Sequence, residues 1–300
     1  MKKILASGVV GPCERLWLAL LLGLAVLAGG CSTVSVGYNN APTLINWYAD
    51  SYFDLDADQG TALKERLVAF RRWHRSTQLP DYGRLLAEVK ARARGQVGAG
   101  DMVWLYAELQ KRYRTMAGKL APDAADLALI LTQDNLAHVE RKQAQAHLEY
   151  TRDFVNAKPE QQREKRLERV LSETERWYGR FSDAQRERIK GLVDGLPANY
   201  ALVLEDRKRR QGELVAILRS AVDKSASRDQ VAQRLHDWMA DWERGRAPAY
   251  REFAAQYTAA AQKMIADVAN LATPQQREAA QRQFQSYIDD IASLAGDAGS

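Results

Sequence analysis

The chain has 300 residues, of which 46% are hydrophobic, and its 43 lysines and arginines nearly balance 38 acidic residues for a net charge of +5. This mixed charge excludes the polycationic proteins that bind nucleic acid mainly through charge. Two cysteines exclude a four-cysteine zinc site, and the length is sufficient for one large or two small hydrophobic cores.

The first 30 residues have the layout of a secretory leader. Lys2 and Lys3 precede an apolar run from Leu16 to Ala28, and two glycines stand directly before Cys31. A membrane span needs about 20 apolar residues, whereas the apolar part of a signal peptide has roughly 7 to 15. Small residues between such a run and a cysteine resemble a bacterial lipoprotein signal. An ordinary secretory signal cleaved nearby is the alternative.

The resemblance implies that residues 1–30 are removed and that Cys31 becomes the first residue, acylated with palmitate among its chains. In known lipoproteins an aspartate after the cysteine signals inner-membrane retention, and here Ser32 follows it. An outer-membrane anchor, with the protein facing the periplasm, is therefore implied. Cys13 leaves with the leader, so we expect no disulfide in the mature chain. We also expect no metal and no cofactor.

After the leader, the pattern predicts an all-α fold, an elongated multi-helix bundle of about nine or ten helices. Apolar residues recur at steps of three and four, and no stretch alternates like a strand. We expect an extended tether over 31–41, a helical domain over 42–295 in one lobe or two, and a flexible tail over 296–300. Helix breaks are predicted near residues 80, 95–100, 122, 158–159, 179–182, 195–197, 225–227, 245–248 and 272–274, from serine at 225–227 and from proline or glycine at the others.

An aromatic block from Asn46 to Asp56 follows the tether. Its candidate partner-binding residues are Trp47, Tyr48, Tyr52 and Phe53. Helical spacing places Trp47, Tyr48 and Tyr52 on one face, which favours burial against the bundle. A groove that binds a partner is the alternative.

Three aspartates, Asp54, Asp56 and Asp58, alternate as the first ligands of a calcium loop do. The glycine that such a loop requires at its sixth position is replaced by Gln59. Acidic residues are favoured at the start of a helix by its dipole, which explains these aspartates more simply.

A turn residue followed three positions later by glutamine recurs where helices are predicted to start. The pairs are Lys158 and Gln161, Ser182 and Gln185, Thr273 and Gln276 and, as a looser copy, Asp56 and Gln59. A capping box is the direct physical interpretation, because serine or threonine caps the helix and glutamine reaches back. The pattern also resembles the Leu-Thr-x-x-Gln motif of the Spy and CpxP periplasmic chaperones, which implies binding of unfolded proteins.

The leader, the aromatic block and these helix starts together resemble a family of Gram-negative lipoproteins of unknown function, over most of residues 31–295. The resemblance implies no activity. The histidines are scattered along the chain, and a nucleophile elbow and a phosphate-binding glycine loop are missing from the sequence. We therefore expect no enzymatic function.

Two basic runs, residues 71–75 and 207–210, circle their predicted helices. Such runs usually form a solvated surface, and contact with anionic lipid or peptidoglycan is the alternative. The sequence thus predicts a non-catalytic outer-membrane lipoprotein that binds envelope proteins as a chaperone or adaptor. A structural scaffold that contacts peptidoglycan or anionic lipid is the second hypothesis, and a nucleic-acid partner is not expected.

Overall fold

The structure, a computed structural model, describes residues 31–296, and side chains from residue 37 onward. All regular elements in this range are helical, which confirms the predicted all-α multi-helix bundle. The π turn His74–Gln78 joins two α-helices into one continuous rod, and the π turn Thr151–Val155 extends the helix before it, so the eleven α-helices of the described residues form ten helical rods. The α-helices are α1 (Cys31–Phe53), α2 (Ala57–Trp73), α3 (Leu79–Arg92), α4 (Ala99–Ala128), α5 (Gln133–Tyr150), α6 (Pro159–Tyr178), α7 (Asp183–Asp194), α8 (Tyr200–Val222), α9 (Arg228–Ala240), α10 (Pro248–Leu271) and α11 (Pro274–Gly296).

The extended tether predicted over 31–41 is wrong, because these residues form the first turns of α1. The Tyr38 hydroxyl lies 3.0 Å from Nδ1 of His74, and Arg71 donates a hydrogen bond of 2.7 Å to the carbonyl of Asn39. These contacts hold the start of α1 against the end of α2. Tertiary packing of this kind overrides the weak helix propensity of serine, threonine and asparagine.

Two predicted proline breaks do not occur. Before Pro80, the π turn is closed by a hydrogen bond from the Leu79 amide to the His74 carbonyl, five residues back. This wider turn separates the proline ring from the carbonyl that it would meet in a regular helix. Pro122 lies exposed within α4, where the neighbouring Ala121 and Ala125 are buried. Close packing along this alanine stripe offsets the missing hydrogen bond.

The turn between α1 and α2, which the sequence did not predict, is formed by Asp54 in the left-handed region, with φ at 56°. Its amide donates to the Asp50 carbonyl at 2.7 Å, and its own carbonyl accepts from Asn135 at 2.7 Å. Asp56 then caps α2, and Asp58 lies in the first turn of that helix. The interpretation of Asp56 and Asp58 as helix-start acids therefore agrees with the structure, whereas Asp54 is a turn residue.

We expect Asp54→Gly to raise the free energy of unfolding by about 0.5 kcal/mol, because glycine avoids the steric cost of about 1 to 2 kcal/mol in the left-handed region, and its greater backbone entropy and the lost contact with His138 offset part of this gain. Chemical denaturation measures this difference. Asp58→Gly is the matched control, since it removes an acid from the first turn of α2 and puts the poorest non-proline helix former there, and it should change stability in the opposite direction. Equal destabilisation by both substitutions would contradict the expectation.

The same packing of four helices occurs twice along the chain. In the first set, α1 packs on α2 and α5, and α2 packs on α4. In the second set, α6 packs on α7 and α11, and α7 packs on α10. Helices α1, α2, α4 and α5 therefore correspond, in chain order, to α6, α7, α10 and α11.

Paired side-chain amides join two helix starts in the first set. Gln59, in the capping box of α2, donates to the Ile130 carbonyl at 2.8 Å and to Oδ1 of Asn135 at 2.9 Å. Asn135, in the capping box of α5, donates back to the Asp54 carbonyl. Each amide thus caps its own helix and bonds the turn before the other helix.

The second set repeats this arrangement. Gln185 donates to the Leu271 carbonyl at 2.9 Å and to Oε1 of Gln276 at 2.8 Å, and Gln276 donates to the Arg180 carbonyl at 3.0 Å. In both sets, the turn carbonyl that accepts lies two residues before the capping residue. The predicted capping boxes at Ser182 and Thr273 are confirmed, and their glutamines also join two distant turns.

The helices inserted into each set pack on the other set. Helix α3 follows α2 in the chain but lies against α11, where Gln281 donates to the Lys90 carbonyl at 3.0 Å. Helices α8 and α9 follow α7 but lie against α5 and α4, and Arg219 of α8 pairs with Glu140 of α5. The two sets therefore hold one another through exchanged helices.

Candidate functional site

The predicted lipidation site, Cys31, is the first residue of α1 in the described range, and the predicted leader before it lies outside that range. From Cys31, α1 continues as one helix into the aromatic block. A helix rises 1.5 Å per residue, so Trp47 lies about 24 Å from Cys31 along the axis. The candidate partner-binding residues are thus on the same rod as the predicted anchor.

An exposed apolar face runs along the middle of α1. Leu44, Trp47 and Tyr48 are 56%, 60% and 57% exposed, and the three- and four-residue spacing places them on one side of the helix. Ile45 beside them is also exposed. Burial, the favoured interpretation of this spacing, is therefore wrong for Trp47 and Tyr48. Leu44 was not among the predicted residues, although it stands three and four positions before Trp47 and Tyr48.

Tyr52 and Phe53 have a different environment. Both are half-buried and pack against the core formed by α4, α5, α8 and α9. The Tyr52 hydroxyl accepts a hydrogen bond of 3.3 Å from Gln143, and the Phe53 carbonyl accepts one of 3.0 Å from Asn135. These contacts make the pair part of the α1 attachment. The exposed portion of the candidate site is Leu44, Ile45, Trp47 and Tyr48.

His74 lies where α1, the first π turn and α3 meet. Its ring is surrounded by the rings of Tyr38, Phe70, Trp73 and Tyr82, with centroids 5.4 to 6.4 Å away. Burial lowers the pKa of His74 to about 4, because the charged imidazolium is poorly solvated there. The histidine is therefore a neutral structural residue at neutral pH, and it fixes the start of α1.

The other three histidines lie apart from His74. His138 lies 3.6 Å from the Asp54 carboxylate, His147 contacts Gln211, and His236 lies beside Asp237. Burial lowers the pKa of His147 as well. Within residues 37–296, no three histidine, cysteine, aspartate or glutamate side chains are grouped so that they could hold a metal ion. Over the part of the chain that the structure describes, no helix is long and apolar enough to cross a bilayer.

The basic run at 207–210 was predicted as a solvated surface, and this is wrong for its three arginines. Arg209 is half-buried and pairs with Asp206 and Glu213. Arg207 is buried with its guanidinium 4.3 Å from the Tyr150 ring centroid. Arg210 stacks on Trp238 and donates to its backbone carbonyl. Helix α8 packs on several neighbouring helices, so a run that circles it cannot remain wholly in solvent.

The basic run at 71–75 lies at the junction of α2 and the first π turn. Arg71 and Arg75 both donate to Asn39 of α1, and Arg72 is exposed. This places the run beside the start of α1, on the side of the exposed apolar face nearest Cys31. Burial raises the pKa of the adjacent Tyr38 hydroxyl, although Arg75 and Arg71 act in the opposite direction.

Comparisons with known proteins give one relationship. Neither the curated proteins nor the solved structures contain a match to this chain. A family model described as a family of unknown function, DUF6279, matches residues 51–225. The matched region begins at the end of α1 and continues to the turn after α8, which is more than half of the sequence. The chain therefore belongs to the DUF6279 family.

Proposed function

We propose that this protein is an acylated outer-membrane lipoprotein that faces the periplasm and binds envelope proteins or unfolded clients, without catalysis. Cys31 is the proposed acylation site. The exposed face of Leu44, Trp47 and Tyr48 is the proposed contact surface. The observation that carries the proposal is this face, which is apolar and uncovered on the helix that contains Cys31.

Several features support a binding role for this face. Tryptophan and tyrosine are enriched at protein interfaces because a rigid ring buries a large area at a small entropic cost. Contacts hold α1 on both sides of this face, through Tyr38 before it and through Tyr52 and Phe53 after it. The capping pairs that resemble the Spy and CpxP motif have a structural role here, so the proposed contacts lie on α1 and not at those turns.

The test is suppression of aggregation of a reduced or heat-unfolded client by the purified acylated protein. We expect the parent protein to suppress aggregation and the Leu44→Ala, Trp47→Ala and Tyr48→Ala triple variant to lose most of this effect. Tyr52 and Phe53 are left unchanged because their substitution would loosen α1. Mass spectrometry of the purified protein tests acylation of Cys31 independently.

The matched control replaces two exposed apolar residues elsewhere, Val103→Ala and Ile130→Ala, and should keep full suppression. Circular dichroism should show the same helix content in all variants. If the parent protein fails to suppress aggregation at stoichiometric excess, the client-binding proposal is wrong. Equal losses in the triple variant and in the control would remove α1 as the contact surface.

A further inference from the structure

Charge is distributed unevenly along the hairpin of α1 and α2. Residues 31–49 contain no charged side chain. At the level of Asn39, the hairpin carries three arginines, which we call the arginine cluster: Arg71, Arg72 and Arg75. Arg72 is exposed, whereas Arg71 and Arg75 are half-buried and donate to Asn39, and Arg75 also lies over the Tyr38 ring. Asn39 is eight residues from Cys31, a distance of about 12 Å along the helix.

The arginine cluster lacks nearby acidic partners. Within the described residues, none of the three arginines forms an ion pair with a carboxylate, whereas many other arginines of the chain do. Four of the five acidic residues of the α1–α2 hairpin lie at its opposite end, with the first of them about 28 Å from Cys31. They are Asp50, Asp54, Asp56 and Asp58. The fifth, Glu65, lies on α2 between Lys64 and Arg66, about 9 Å along the helix from Arg71.

Arginines near Cys31 and aspartates at the far end of the hairpin suit a chain anchored to an anionic membrane surface. Guanidinium groups bind phosphate oxygens through paired hydrogen bonds, and an arginine near an anionic membrane surface gains about 1 kcal/mol. The attraction decays over a Debye length of about 8 Å. The arginine cluster, about 12 Å along the helix from Cys31, lies about one and a half Debye lengths from the anchor, whereas the first aspartate, at about 28 Å, lies more than three away. The aspartates at the other end lie well outside this range.

We propose that the arginine cluster binds the phosphate groups of anionic phospholipids and holds the α1–α2 hairpin upright on the membrane. The proposal rests on the acylation of Cys31 in the proposed function, which places the cluster beside the headgroups. It leaves Trp47 and Tyr48 above the membrane surface, where a protein can reach them. The cluster lies only about 12 Å along the helix from the proposed anchor, which favours the headgroups of the anchoring membrane over peptidoglycan as its ligand.

The experiment uses acylated protein in vesicles of phosphatidylcholine, with or without phosphatidylglycerol, containing a headgroup-labelled nitroxide lipid. A fluorescent probe is attached at Ser76→Cys, beside Arg75, or at Thr61→Cys, near the acidic end. Both residues are exposed and bond the carbonyl four residues earlier, so the two sites are matched. We expect several-fold stronger quenching of the probe at 76 with phosphatidylglycerol, and no such increase at 61.

Charge variants identify the groups responsible. Arg71→Gln, Arg72→Gln and Arg75→Gln together should abolish the phosphatidylglycerol-dependent quenching, and high salt should weaken it. Arg72→Gln alone should lower it without affecting the fold, because Arg72 is exposed and not held by Asn39. The control, Arg188→Gln with Arg251→Gln, removes two exposed arginines of the second helix set and should change nothing.

The outcomes separate this proposal from acylation. Vesicle-bound protein with equal quenching in both lipid mixtures would falsify the headgroup contact while leaving the anchor intact. Retention on isolated peptidoglycan through the same arginines, without a lipid effect, would also overturn it. If Cys31 carries no acyl chain, vesicle flotation becomes the measurement, and each arginine should contribute about fivefold to affinity for phosphatidylglycerol vesicles. Absence of such flotation overturns the proposal.

Discussion

Replacing Asn135 with leucine is expected to lower the free energy of unfolding by about 3 to 5 kcal/mol, since each buried polar group left without a partner costs about 1 to 3 kcal/mol. Asn135 is buried and accepts hydrogen bonds from the Thr132 amide and from Gln59. It also donates to the carbonyls of Phe53 and Asp54. Leucine has a similar size but replaces none of these bonds, so the turn before α2 loses its support. Chemical denaturation measures the loss.

Gln276→Leu is the matched control, because Gln276 has the corresponding position in the second helix set but is only half-buried. Water can solvate the groups that this substitution exposes, so we expect a smaller loss of about 1 to 2 kcal/mol. A double-mutant cycle between Gln59 and Asn135 should show coupling, since the two amides are bonded directly. A loss below 1 kcal/mol for Asn135→Leu would show that the paired amides contribute little.

The second large effect is a loss of stability in mild acid caused by His74. The pKa of His74 is lowered to about 4 by burial, against an ordinary value of 6.5. Between these values, the unfolded chain binds a proton that the folded chain does not, so stability is full above pH 6.5 and falls as the pH decreases towards 4. The shift corresponds to a loss of roughly 3 kcal/mol. Denaturation curves across this range measure it.

His74→Phe should flatten the pH dependence over this window, because phenylalanine keeps the ring packing but cannot be protonated. Some slope should remain, since burial lowers the pKa of His147 in the same direction. Carboxylates act at lower pH. For example, the Arg228 hydrogen bond lowers the pKa of Asp126, so its contribution to stability is lost only below about pH 4. An unchanged slope in His74→Phe would refute the assignment to His74.

The helical class and the capping boxes followed from local patterns, because helix periodicity and the spacing of a cap and a glutamine are contained within one turn. The partners of those glutamines did not follow. Gln185 bonds Gln276 across 91 positions, and no local pattern indicates which turns will meet. Pro122 is a second example. Its local sequence predicts the end of a helix, but packing against distant helices keeps α4 continuous through it.

The candidate site was only partly predictable for a related reason. Spacing correctly grouped Trp47 and Tyr48 on one side of a helix, but spacing does not say whether another element covers that side. The structure leaves it uncovered while burying the opposite side, which includes Pro42. Likewise, Arg207 and Arg72 occur in similar basic runs, and only the number of helices packed around each run distinguishes a buried arginine from an exposed one.

The exchange of helices between the two sets affects the order in which parts of the chain can fold. Leu79 and Leu85 of α3 are buried, and the partner of this helix is α11, the last one. The bond between Lys90 and Gln281 joins positions 191 apart. When the chain emerges with its N-terminus first, the leucines of α3 therefore stay exposed to solvent until α11 has emerged and can pack on them. A prematurely terminated chain is expected to expose them and to be degraded instead of accumulating as a stable fragment.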